Sequence, residues 1–149
     1  MLAFFCNTYY TASSVGQSLL GVTVPSQTLT CAQPGSAYYT LRTLCTVLEG
    51  WKGVEFPVEF SSARQFTTFT FHRGEAELMV ASTIHGDTTD GIVETATDMT
   101  LPGVTAKQAW IIDVLNGTSQ ELHFSADRGG TTFKGLLIKD YPTLIRIVQ

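Results

Sequence analysis

Hydrophobic and polar residues alternate through most of the chain after Trp51, and a period of two is typical of β-strands. Between Phe66 and His72, Phe69 and Phe71 alternate with Thr68, Thr70 and His72. Between Glu77 and Ile84 the residues that share one face are Leu78, Val80, Ser82 and Ile84. Turn-forming residues separate such stretches at short intervals. The pattern predicts a mainly β fold: an antiparallel β-sandwich of about eight strands with one packed α-helix near the N-terminal third.

Four apolar segments follow Trp110, and three turn signals separate them. The signals are Asn116-Gly117, Asp127 to Gly130, and Asp140 to Pro142. Such spacing predicts an antiparallel meander that folds back on itself three times. We interpret Asn116-Gly117 as a type I′ turn, in which both residues take positive φ angles, and the overlapping glycosylation sequon as incidental.

Residues 54–60 predict another strand, which Pro57 places at a sheet edge or a bulge because proline cannot donate to a strand ladder. The one predicted helix begins near Ser36, a suitable N-cap, and ends at Gly50. Its apolar residues recur at helical spacing and predict a face packed on the core: Tyr38, Leu41, Leu44, Cys45, Val47 and Leu48.

Charge is distributed unevenly along the chain. The first charged residue is Arg42, so residues 1–41 carry no Asp, Glu, Lys or Arg. The absence of charged residues predicts that much of this segment is buried. The aromatic-rich residues 2–10 predict a strand that is buried on both faces. The net charge of −4, with nine scattered Lys and Arg residues, argues against a nucleic-acid partner. No apolar run is long enough to cross a membrane.

Three cysteines, Cys6, Cys31 and Cys45, have no metal-binding spacing. We interpret them as small buried hydrophobic residues rather than as a disulfide framework or a zinc site. Residues 1–5 lack the basic region of a signal peptide, so the chain gives no evidence of export and the compartment stays open.

One polar loop contains a candidate cation site, formed by His85, Asp87 and Asp90. A hairpin loop needs the same residue types for its turns, and we favour that interpretation, with no metal site and no cofactor. His72, His85 and His123 lie on different elements, and no serine occupies a nucleophile elbow. We therefore assign no catalytic residue and expect His123 to be exposed.

Two tryptophans, Trp51 and Trp110, are the candidate sugar-stacking residues, because an aromatic ring suits the apolar face of a sugar. Burial in the core is the commoner fate of tryptophan in a sandwich. Asp113 and Asp140 lie beside turns, where hydrogen bonds to loop amides are the expected role.

Residues 111–122 and 136–147 resemble the C-terminal end of clan A glycoside hydrolases, in which a (β/α)₈ barrel is followed by a β-sandwich. Residues 37–48 are similar to the last barrel helix of that clan, and residues 2–10 resemble its last barrel strand. The resemblance implies two parts, residues 1–50 as a remnant of the last β/α unit and residues 51–149 as the β-sandwich domain.

The catalytic carboxylates of that clan belong to earlier barrel strands, so the resemblance implies that this chain is not an enzyme on its own. It implies instead a non-catalytic accessory domain that supports a barrel packing on residues 1–50. Two alternatives stay open: a carbohydrate-binding module that uses exposed aromatics, and a homo-oligomer that associates through the uncharged first segment.

Overall fold

A computed structural model describes residues 36–86 and 93–149. The predictions for the strand over residues 2–10, for Cys6 and Cys31, and for Asp87 and Asp90 lie outside those ranges. The chain divides into two compact units, one of residues 1–48 with Val114–Gly117 and one of Glu49–Asp113 with Thr118–Gln149.

Helix α1 spans Ser36–Val47, as the helical spacing predicts. Gly50, with a φ of 77°, takes the left-handed conformation just beyond its end, as a glycine stop requires. Leu41 and Leu44 are partly buried, but Cys45 is exposed. The prediction that Cys45 is buried is therefore wrong, because helical spacing defines a stripe without defining how wide its covered part is.

Ten strands make up the second unit. In chain order they are β1 (Lys52–Val54), β2 (Glu59–Phe60), β3 (Phe66–Arg73), β4 (Glu77–Ile84), β5 (Glu94–Pro102), β6 (Gln108–Asp113), β7 (Ser119–Glu121), β8 (Ser125–Asp127), β9 (Gly130–Lys139) and β10 (Thr143–Val148).

The strands form two antiparallel sheets. The larger has the order β1-β3-β4-β10-β6-β7 and the smaller has the order β2-β5-β9-β8. Within residues 36–86 and 93–149 the predicted class, a mainly β antiparallel sandwich with one helix, is confirmed.

The core lies between the sheets. Its buried side chains come from alternate positions of the central strands: Leu78, Val80, Ile84, Met99, Leu101, Phe133, Leu136, Ile138, Ile145 and Ile147. The predicted common face of β4 is confirmed, since Ser82 is buried together with the apolar residues around it. Alternation is what places these side chains on one face.

The centre of the larger sheet is also buried on the face that points away from the smaller sheet, which we call the outer face. Met79 and Leu144 alternate with the core residues of β4 and β10 and so point away from the smaller sheet, yet neither has any exposed surface. Burial on both faces is usual for a sheet that forms an inner layer of a protein.

The predicted strand over residues 54–60 is wrong as a single element. Its ends are β1 and β2, which belong to different sheets, with Pro57 in the connection between them. Both strands are sheet edges, in keeping with the poor fit of proline to a central strand.

The predicted meander is also wrong. β6 pairs with β7 and β8 pairs with β9, as the first two turn signals predict, but the chain crosses between sheets from β7 to β8 and again from β9 to β10. β10 inserts between β4 and β6. Local turn chemistry specifies hairpins, whereas the insertion of β10 depends on contacts with strands remote in sequence.

The turn at Asn116-Gly117 is not type I′. Gly117 has a φ of 67°, but no non-glycine residue in the described chain has a positive φ. The amide of Asp113 donates to the carbonyl oxygen of Thr118 at 2.9 Å, so four residues lie in the loop. A longer loop needs only one left-handed residue, and glycine occupies that position.

Candidate functional site

A row of charged and aromatic side chains crosses the outer face of the larger sheet. Glu77 on β4 lies at its centre, and its Oε2 accepts a 2.6 Å hydrogen bond from Nε of Arg73 on β3. Its Oε1 accepts from Arg146 on β10, where the Nε distance is 3.0 Å. The pairing of β4 with both neighbours brings the two arginines to one carboxylate.

Each candidate sugar-stacking tryptophan lies at one end of this row. Cζ of Arg73 is 4.8 Å from the ring centroid of Trp51, and Cζ of Arg146 is 5.5 Å from that of Trp110. Both rings are partly buried. A guanidinium over a ring is attracted by its π electrons and takes up room that a sugar would need there. Stacking at Trp51 and Trp110 stays a prediction.

The row also sets the protonation of its central carboxyl. The hydrogen bond from Arg73, with a further contribution from Arg146, holds the pKa of Glu77 below its ordinary value. The carboxylate is thereby kept ionised, which suits an ion-pair network and opposes the release or uptake of protons near neutral pH.

A second candidate site in this unit is an open cleft of about 490 Å³ beside the ends of β6, β9 and β10. Residues of four strands and two connections between strands surround it: Ile111, Ile112, Asp113, Thr118, Ser119, Gln120, Leu137, Lys139, Tyr141, Pro142 and Thr143. Hydrophobic, hydroxyl, amide and charged groups therefore share its walls, which is the usual composition of a small-ligand site.

Three of these residues make a polar cluster that we call the Lys139 cluster: Asp113, Lys139 and Tyr141. Nζ of Lys139 donates a 2.6 Å hydrogen bond to the phenolic oxygen of Tyr141 and lies 3.9 Å from Oδ2 of Asp113. The hydrogen bond to Tyr141, aided by the nearby carboxylates Asp113 and Glu94, raises the pKa of Lys139. The amine is therefore a cation at neutral pH.

The insertion of β10 assembles this cluster. Asp113, the last residue of β6, is opposite Thr143, the first residue of β10. The turn before Thr143 contains Tyr141 and follows Lys139, the last residue of β9. Strand ends from both sheets are thus brought to one place, although Asp113 and Lys139 are far apart in sequence.

The described parts of the other predicted sites are separate. His85 hydrogen-bonds Thr67 through Nδ1 at 3.0 Å, and His72 contacts the carbonyl oxygen of Gly74 at 3.2 Å. His123 is exposed, as predicted. Within residues 36–86 and 93–149 no group of three or more His, Cys, Asp or Glu residues is placed to hold a metal ion.

Sequence reasoning placed Asp113 beside a turn but did not single out Lys139 or Tyr141. Their signal is weak, because a lysine and a tyrosine at the end of a strand are ordinary surface residues. Lys139 and Tyr141 are two residues apart, and only the topology that joins β6, β9 and β10 at one point brings Asp113 to them.

No family model matches the chain, and no curated protein shows significant similarity to it. Among the described residues, no helix has the length and apolar character that a membrane span requires.

Proposed function

We propose that the chain is a non-catalytic β-sandwich accessory domain of a glycoside hydrolase, with a structural role toward a catalytic barrel. The resemblance of residues 111–122 and 136–147 to the end of clan A enzymes is the origin of this proposal. The observation that supports it best is that three acidic side chains of the sandwich hold ion pairs and turns.

Glycoside hydrolysis requires two carboxyl groups that face a sugar, and the acid of the pair needs a raised pKa. Glu77 has a lowered pKa and is held by two arginines. Asp98 accepts the amide hydrogen of Gly135 at 2.8 Å, and Asp127 accepts that of Gly129 at 2.7 Å. These three carboxylates have the contacts of structural residues.

A supporting role also suits the larger sheet. Met79 and Leu144 are buried on its outer face, so the centre of the sheet is apolar on both faces. An accessory domain that contributes to a larger assembly needs a stable sheet of this kind more than it needs a reactive site.

An activity assay tests the non-catalytic part of the proposal. The chain should show no turnover of aryl glycosides with gluco, galacto, xylo or manno configuration. Reproducible turnover that one carboxylate substitution abolishes would contradict the proposal. The accessory part is tested by the transcript upstream of Met1, where an in-frame barrel with two carboxylates on its strands is expected. An upstream region that encodes no such barrel would count against it.

Carbohydrate binding at Trp51 and Trp110 is the second candidate. The exposed fraction that each ring retains favours it, but the arginines over the rings oppose it. Loss of saccharide binding after Trp110→Ala, with the fold retained, would favour this candidate.

A further inference from the structure

We propose that the cleft around the Lys139 cluster is a binding site for a neutral saccharide. This site is separate from the predicted tryptophan platform. It deepens the accessory role proposed above by naming a ligand class, but its test does not depend on that role.

The charges around the cleft indicate a neutral ligand. Lys139 is one cation, and its carboxylate neighbours are Asp113 at 3.9 Å and Glu94, which is its register partner on β5. An anionic ligand in the cleft would meet the carboxylate of Asp113, and a cationic ligand would meet the ammonium of Lys139. A ligand without charge avoids both costs of repulsion and desolvation.

The hydrogen-bonding groups indicate a ligand rich in hydroxyls. An ammonium only donates, a carboxylate only accepts, and a phenol does both. A sugar hydroxyl also does both, so adjacent hydroxyls of one ring match Lys139, Asp113 and Tyr141 together. Thr118, Ser119 and Gln120 line the β7 side of the cleft and add further donors and acceptors.

The apolar part of the cleft suits the C–H surface of a sugar ring. Leu137 is 45% exposed, and it lines the cleft. Tyr141, Pro142 and Ile111 add further apolar surface. A site that offers apolar contact beside converging polar groups can recognise both faces of a pyranose.

The size and openness of the cleft favour a segment of an oligosaccharide over a fully enclosed small molecule. A volume of about 490 Å³ lies in the range of small-ligand sites. Because the cleft is open, a chain could continue from both ends of a bound residue.

The test uses isotope-labelled full chain and NMR titration with three neutral hexasaccharides: cellohexaose, xylohexaose and mannohexaose. At least one should bind and shift the amides of residues around the cleft. Asp113→Asn, Lys139→Met and Tyr141→Phe should each weaken that binding about fivefold or more, as expected for the loss of a charge-assisted or buried hydrogen bond.

Lys134→Met is the matched control, because Lys134 is an exposed lysine on the same strand and does not line the cleft. It should leave the affinity unchanged. If Lys139→Met lowers the melting temperature, Tyr141→Phe provides an independent variant, since it removes one oxygen and retains the ring.

Three results would overturn the proposal. The first is no shift with any of the three hexasaccharides at about 10 mM, a concentration above the weakest useful affinities. The second is binding that shifts amides around Trp51 or Trp110 and is unchanged in the cleft variants. The third is binding only of an acidic hexasaccharide such as hexagalacturonate. Neither the activity assay nor the upstream transcript bears on these outcomes.

Discussion

The hydroxyl of Thr131 donates a 2.7 Å hydrogen bond to the carbonyl oxygen of Val104 inside the core. The hydroxyl oxygen of Thr131 in turn accepts a 3.0 Å hydrogen bond from the amide of Ala106. Thr131 has no exposed surface, so it satisfies two backbone groups of the β5–β6 connection where water does not reach. The side chain of Thr131 thus links the β5–β6 connection to β9 by two hydrogen bonds.

Thr131→Val should destabilise the protein by about 1–3 kcal/mol, because it leaves a buried carbonyl and a buried amide without partners while it preserves the side-chain shape. Thr131→Ser is the control. It retains the hydroxyl and loses one methyl group, which costs about 1 kcal/mol. Urea unfolding of the three proteins measures the difference. Equal midpoints for Thr131→Val and the unchanged protein would show that these hydrogen bonds contribute nothing.

Gly130 should not tolerate a side chain. Its φ is 144°, and a Cβ there would collide with the backbone carbonyl oxygen of Leu101 on the paired strand. Backbone atoms of a central strand cannot move aside cheaply, so Gly130→Ala should cost about 3 kcal/mol or more.

Gly135→Ala is the matched control for that substitution. Gly135 also has a positive φ, at 64°, but nothing lies within 4 Å of the position that a Cβ would take. It should show only the conformational cost of the left-handed region, about 1–2 kcal/mol. Thermal unfolding compares the two, and a larger loss in Gly135→Ala would contradict the proposed collision.

Glu77 should make the protein less stable in acid. Its pKa is lowered in the folded state, so the stability that it contributes is present above the ordinary glutamate pKa of about 4.3. That contribution is lost as the pH falls from there through the lower folded value.

Glu77→Gln should therefore reduce the melting temperature at pH 7, by an amount that corresponds to about 1–2 kcal/mol. The difference from the unchanged protein should shrink as the solution becomes more acidic. Glu75→Gln, at an exposed turn position, is the control and should leave the melting temperature at pH 7 unchanged. A constant difference between Glu77→Gln and the unchanged protein from pH 7 to 3 would mean that the carboxylate is not the titrating group.

Cys45 should react with thiol reagents in the native protein, because its side chain is exposed near the end of α1. Cys45→Ser should remove one fast-reacting thiol, and this expectation does not depend on how fast Cys6 and Cys31 react. The measurement is the rate of colour release from a disulfide reagent at pH 8. If the fast phase of the thiol reaction is unchanged in Cys45→Ser, the Cys45 side chain is not exposed as described.

The pattern along the chain determined those features that depend on near neighbours. Helical spacing located α1, alternation located the buried face of β4, and the turn residues located the β6–β7 and β8–β9 hairpins. Each depends on interactions within a few residues, where composition and spacing are informative.

Only the tertiary structure decided which sheet each strand joins. Residues 54–60 divide between two sheets, and β10 leaves β9 to pair with β4 and β6. Alternation specifies which side chains face the core, but it is equally satisfied by either sheet. The choice depends on how completely both sheets together bury their apolar faces. Because Asp113 meets Lys139 and Tyr141 only through that choice, the cleft could not be predicted from local sequence.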